Sequence, residues 1–219
     1  MGQKFREINC RGEEKRKEIV RLFSVDIMSR IKLLPGQEHI SCTGDQLENE
    51  YYCFSYSDRK DQKKKGVFVC GSHAAKHFLE LINKPNIRLF NPLIGEVADN
   101  NFQHQLDGRV DVDGERTEVE NIVARNLRDA IDILTIWWNN KIKSPLSDIR
   151  AQLNNNMNEE PQFGVVKAVN TIISSDRSEC VTLKEMNNKL KKKYPNMKEY
   201  DFSLLSVILQ KRGIKSYFG

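Results

Sequence analysis

The strongest constraint on the fold lies in the segment Val181-Thr182-Leu183-Lys184-Glu185. Thr182 and Glu185 stand three residues apart just ahead of an apolar stripe. That is the spacing of a capping box, in which each side chain satisfies a backbone N–H that the first helical turn leaves without a partner. The helix it opens buries Leu183, Met186 and Leu190, exposes Lys184, Lys189, Lys191, Lys192 and Lys193, and stops at Tyr194-Pro195. An earlier short helix is expected from Phe163 to Ile173, with Val165, Val166, Val169, Ile172 and Ile173 as its stripe. A third is expected in DFSLLSVILQKRG (201–213). It buries Phe202, Leu205, Ile208 and Leu209 and ends at Gly213, and IKSYF (214–218) follows as a terminal strand where a wing would sit. Three short helices with tight connections and a trailing strand predict a winged-helix-like module over 161–219.

Charge singles out the same segment. The chain of 219 residues has 35 Lys+Arg and 30 Asp+Glu, of which residues 161–219 hold 11 and 5, leaving 24 and 25 for residues 1–160. All of the positive excess therefore sits in the C-terminal part, as a polyanion-binding surface requires. The expected contacts are Lys184, Lys189, Lys191, Lys192, Lys193, Lys211 and Arg212, with Ser203, Ser206 and Gln210 of the third helix facing base edges. The same lysines also suit a solvated face, with the module docked on a protein subunit.

The run from Val181 to Gly213 resembles the LOTUS (OST-HTH) family of winged helices. The resemblance rests on Val181 and Leu183 at the helix start, the Lys-rich tail Lys191 to Pro195, the step Tyr200 to Phe202, and the Leu-rich stretch Leu204 to Leu209. It covers about a quarter of the chain and implies binding to RNA or to a protein partner. The family is often attached to an RNase domain, but residues 1–150 do not show the early Asp-containing strand expected of one.

The remainder reads as an α+β domain over 1–155, with long helices and a small, mostly antiparallel sheet. Ile19, Leu22, Phe23, Ile27, Ile31 and Leu34 recur at helical spacing through 12–34, which predicts a long amphipathic helix ending at Pro35-Gly36. HISC (39–42), YYCFSYS (51–57) and VFVC (67–70) read as strands, the last two forming a hairpin across DRKDQKKKG. A helix is expected over 72–82. Another is expected from Thr117 to about Ile142, with Thr117 and Glu120 as its capping box. Residues 143–162 read as the interdomain connection, and RVDV (109–112) as one strand of a hairpin.

Two constellations in this domain carry candidate chemistry. Cys53, Cys70, His73 and His77 would make a tetrahedral zinc site if the hairpin sets Cys53 opposite Cys70 and the helix presents both histidines on one face. A Cys70–His73 nucleophile pair is a weaker alternative, without a third orienting residue. The acids Asp107, Asp111, Asp113, Glu118 and Glu120 contain the residue types with which a metal-dependent nuclease holds Mg²⁺. Acids in the first turn of a helix are also expected for capping and for the helix dipole alone.

No window approaches 18 uncharged apolar residues, so no membrane span or membrane partner is expected. Without a secretory segment, cytoplasm is the expected location. An odd number of cysteines, five, then argues against a disulfide framework. The sequence thus points to nucleic-acid binding (DNA or RNA) through the C-terminal module. A metal-dependent nuclease and a protein-interaction adaptor subunit with structural zinc are its alternatives.

Overall fold

The computed structural model describes residues 8–61, 63–94, 120–142, 144–176 and 182–219. The class is α+β. Helices α1 (Glu13–Leu22), α2 (Ser72–Leu81), α3 (Ile122–Trp137), α4 (Leu146–Asn155), α5 (Phe163–Ser174), α6 (Leu183–Lys193) and α7 (Ser203–Gln210) accompany six strands. These are β1 (Phe23–Lys32), β2 (His39–Ile40), β3 (Gln46–Leu47), β4 (Glu50–Asp58), β5 (Lys65–Cys70) and β6 (Leu89–Phe90). The backbone divides into two compact units, residues 1–87 with 140–151 and residues 88–139 with 152–219. This partition differs from 1–155 and 161–219, because α3 goes with the C-terminal helices.

In the first unit, the stretch 12–34 is not one helix. α1 ends at Leu22, and Phe23 turns extended (φ −117, ψ 147) into β1. β1 pairs antiparallel with β4 from Phe23↔Asp58 to Lys32↔Glu50, with a bulge between Ile27 and Ser29. The bulge shifts the alternation, so Val25 and Ile27 face one side of the sheet while Ser29 and Ile31 face the other. Ile27 and Ile31 stand four residues apart, a spacing that a strand and a helix share, which is how the run from α1 into β1 reads as one helix.

The expected β4–β5 hairpin is present. Its register is set by the Asp58 N–H donating to the Lys64 carbonyl at 2.8 Å, and it pairs Phe54 with Phe68. The face carrying Val25, Ile27, Tyr52, Phe54, Phe68 and Cys70 is covered by Ile19 of α1 and by Ala75, Phe78 and Leu79 of α2. The rings of Phe54, Phe68 and Phe78 lie 5.1–5.4 Å apart within this core. At the rim, Arg30 forks onto Glu50 at 3.1 and 3.0 Å and tethers β1 to β4.

The cysteines depart from expectation, since Cys10 and Cys42 form a disulfide with their Cα atoms 5.4 Å apart. The Cys10 N–H donates to the Cys42 carbonyl (2.9 Å) and the Cys42 N–H to the Val69 carbonyl (2.7 Å). Residues 41–44 therefore run beside β5 and do not extend a strand HISC; only His39–Ile40 pairs, with Gln46–Leu47.

In the second unit, α3 starts later than expected. Its N-cap is Asn121, whose side chain accepts from the Val123 and Ala124 N–H groups. Thr117 and the RVDV segment lie outside the described residues. α3 ends at Trp137, before Asn139 and Asn140 take left-handed backbones (φ 50 and 63), a conformation asparagine tolerates better than most residues. Within the stretch 143–162 a short helix, α4, follows Ser144-Pro145; Leu146 and Ile149, in the first unit, and Leu153, in the second, are buried at helical spacing.

Helices α5, α6 and α7 occupy the expected positions, and the Thr182–Glu185 capping box is complete. α3 packs against α6 and α7, and α5 against α7. No strand forms in residues 214–219; this segment closes the start of α6 instead. The Tyr217 and Phe218 carbonyls accept from the Leu183 and Lys184 N–H groups at 2.8 and 3.1 Å. Buried Asn170 of α5 holds the same segment from the other side, donating to the Lys215 carbonyl (3.0 Å) and accepting from the Tyr217 N–H (2.7 Å). Phe218 is fully buried as a result.

Two outcomes follow from this packing. Asn170→Ala leaves a part-buried donor and acceptor without their partner and should lower unfolding stability by roughly 1–2 kcal/mol in a urea titration. A denatured, unreduced sample should titrate with two fewer thiols than a reduced one; equal counts would remove the Cys10–Cys42 bond.

Candidate nucleic-acid interface

The candidate surface is built on α6 and α7. α6 turns Leu183, Met186, Asn187 and Leu190 inward, which leaves Lys184, Lys189, Lys192 and Lys193 exposed. Lys191 is half-buried, and its ammonium lies 3.8 Å from the Glu199 carboxylate. Lys191 to Lys193 occupy the last turn of α6, where the negative end of the helix dipole favours cations. Lys193 Nζ also sits 5.2 Å from the centre of the Tyr194 ring. Beyond the end of α7, Lys211 and Arg212 are exposed, and the Arg212 guanidinium stacks 4.1 Å over the Phe163 ring.

α7 presents Ser203, Val207 and Gln210 to solvent. The Ser203 hydroxyl and N–H both donate to Asp201 at 2.9 Å. Those bonds, with the nearby Lys184 ammonium, hold the Asp201 carboxyl below the usual carboxylate range. Ser206 is a correction: it is buried, hydrogen-bonded to the Ser216 hydroxyl (2.8 Å) and donating to the Gly219 carbonyl (3.1 Å). The tail that closes α6 covers it, so it cannot reach a base edge. Val207, one residue on, takes the exposed place, and the Ser203–Val207–Gln210 spacing of four and three was the signal for it.

A second group of cations lies in the same unit, where residues 90–94 run antiparallel to 196–200. The Lys198 N–H donates to the Pro92 carbonyl (2.7 Å), and Leu93 bridges Met197. Lys198 Nζ donates to the Asn91 carbonyl at 2.9 Å. Burial, and then the Arg88 guanidinium, lower the pKa of both Lys198 and Arg125. Burial, followed by Asp129 and Asp132, pushes the Tyr200 phenol up. Sequence spacing gave no hint of this group, because it joins residues about a hundred positions apart.

The acidic constellation is only partly described. Asp107, Asp111, Asp113 and Glu118 lie outside the described residues. Glu120 precedes the cap of α3 and sits between two guanidiniums, paired with Arg128 and 3.6 Å from Arg88. Its charge is matched by arginines, an arrangement unlike an open metal ligand.

The cysteine–histidine constellation does not come together. The hairpin pairs Cys53 with Val69 and Tyr52 with Cys70, so the two thiols face opposite sides of the sheet. Cys70 lies in the core under α2, where burial pushes its thiol up strongly. Cys53 approaches the Asn140 side-chain oxygen at 3.7 Å, in a patch where burial lowers the pKa of His39. His73 is exposed, and His77 Nδ1 accepts from the buried Arg16 at 2.8 Å. Among the described residues no group of three His, Cys, Asp or Glu side chains is placed to hold a metal. No helix among them is long and apolar enough to cross a membrane.

The chain belongs to the family described as Uncharacterised conserved protein UCP028583, whose pattern matches residues 8–217. No curated protein and no solved structure matches it. The family match takes in both units.

The two polar residues of α7 should separate cleanly by stability. Ser206→Val is expected to cost about 1–2 kcal/mol by stranding the groups it bonds, and Gln210→Ala to stay within about 0.5 kcal/mol of the parent. Equal stabilities in chemical denaturation would contradict the buried placement of Ser206.

Proposed function

We propose that the protein binds nucleic acid through the α6–α7 surface, with α5, α6 and α7 acting as a winged-helix-like module. One observation carries the reading. Lys192, Lys193, Lys211 and Arg212 are exposed, and none is ion-paired to a carboxylate among the described residues. Ammonium and guanidinium groups left open in this way gain from displacing the counterions of a phosphate backbone.

In this reading Lys189, Lys192, Lys193, Lys211 and Arg212 contact phosphates and set the register. Lys184 and the α6 cap lie at the far end of α6, roughly 12 Å from Lys192 at 1.5 Å per residue, a reach of several nucleotides along one strand. Gln210 and Ser203 supply hydrogen-bonding groups on the exposed side of α7, and Val207 an apolar contact between them. The LOTUS-like pattern favours RNA. A protein subunit as the ligand would leave the open cations unused.

Fluorescence anisotropy of the full-length chain with single-stranded RNA, single-stranded DNA and duplex DNA tests the proposal. Affinity should fall by an order of magnitude or more between 50 and 200 mM salt. The double variant Lys192→Glu/Lys193→Glu should weaken binding about tenfold and flatten the salt slope by about 2, with an unchanged circular dichroism spectrum. Absence of binding to all three probes at low salt would overturn it.

A further inference from the structure

The first unit holds an open strand edge that the nucleic-acid reading does not use. β5 is the terminal strand of its sheet, paired on one side with β4. In an antiparallel pair each residue turns both its N–H and its C=O to the same side, and successive residues alternate. The bond between Asp58 and Lys64 places residues 64, 66, 68 and 70 toward β4, and Lys65, Val67 and Val69 away from it. The Cys42 N–H confirms that direction by donating to the Val69 carbonyl. The Val67 N–H, the Val67 carbonyl and the Val69 N–H have no hydrogen-bond partner among the described residues.

These groups open onto a cleft of about 670 Å³, whose apolar walls include Ile8, Ile40, Tyr56, Val67 and Val69. Ile40 is 63% exposed there, a large apolar side chain without cover. The far wall, residues 41–44, is held firmly. The Cys10–Cys42 disulfide anchors it, Arg11 bonds the Thr43 carbonyl (2.7 Å), and Thr43 Oγ1 donates to Asp45 (2.7 Å). The hairpin turn that leads into β5 carries Lys60 and Lys63, exposed and in no ion pair among the described residues.

We propose that this cleft takes an extended peptide segment of a partner protein, added as a short strand along Lys65–Val69, with acidic side chains at the end that meets Lys60 and Lys63. The observations select such an occupant on three counts. A row of alternating main-chain donors and acceptors is matched best by another extended backbone. The apolar walls suit alternate side chains of a strand, and the free lysines suit carboxylates. Residue 42 already occupies the Val69 carbonyl, so the open edge is only a few residues long. That length fits a peptide better than the edge of a second copy's sheet.

Selection of a random-hexapeptide phage library on the full-length protein tests this. The enriched peptides should combine β-branched or apolar residues at alternate positions with Asp or Glu. Binding of a synthetic hit should shift the Val67 and Val69 amide resonances and survive Lys192→Glu/Lys193→Glu, which separates this site from the nucleic-acid surface. Val67→Pro removes only an outward N–H and leaves the β4 ladder intact, so it should fold and weaken the peptide about tenfold. Lys60→Glu/Lys63→Glu should weaken acidic hits as well, and N-methylating the peptide at alternate residues should abolish binding in one phase and spare it in the other. A library that yields no Val67→Pro-sensitive binder overturns the proposal. So does self-association of the protein that Val67→Pro abolishes, which would give the edge to a second copy.

Discussion

The hydrogen bond from the Asp58 N–H to the Lys64 carbonyl governs most of what the first unit can do. It sets the phase of the β4–β5 hairpin, and each further relation depends on that phase. It stacks Phe54 on Phe68 beneath Phe78, where the core of the unit lies. It sends Cys53 and Cys70 to opposite faces, so two thiols that could otherwise have shared a metal never meet. It also turns Val67 and Val69 outward, which makes the β5 edge usable. A slip of one residue would reverse all three outcomes together, since every side chain of β5 would change face.

The second unit depends on a different economy. α6 begins with polar groups that need partners, and the chain answers twice: with the Thr182–Glu185 box, and with the backbone of residues 217 and 218 folded back over the first turn. Asn170 holds that return segment in place, and Ser206 ties it to α7. The polar residues of the interior are therefore spent on closing the module, and the lysines remain outside it. α3 lies against α6 and α7, within the same compact unit as residues 152–219.

Local signals were legible in the sequence and distant ones were not. The capping box, the stripes of α5, α6 and α7, the β4–β5 hairpin and α2 each follow from spacings within a dozen residues, and each appears where those spacings put it. The stretch 12–34 misled because the spacing of four between Ile27 and Ile31 suits a strand as well as a helix, with no Gly or Pro to mark the junction at Leu22 and Phe23. The Cys10–Cys42 bond depends on residue 42 running beside β5, a pairing that thiol spacing does not encode. Ser206 and Gln210 looked alike as polar residues of one helix. Only the returning tail distinguishes them, by covering the first and not the second. The exposed Arg88 and the half-buried Arg125 and Lys198 come from three separate segments, beyond the reach of any motif.

The division of the chain has a consequence for its synthesis. Residues 88–139 interrupt the first unit, which regains its own chain only at 140–151. The hairpin and its two helices are thus translated early, yet their unit stays incomplete until residue 151 has left the ribosome, when α3 is already made. The open β5 edge and exposed Ile40 persist in the complete unit, so they are present before and after that interval, and charged lysines beside a strand edge disfavour pairing with the edge of another chain.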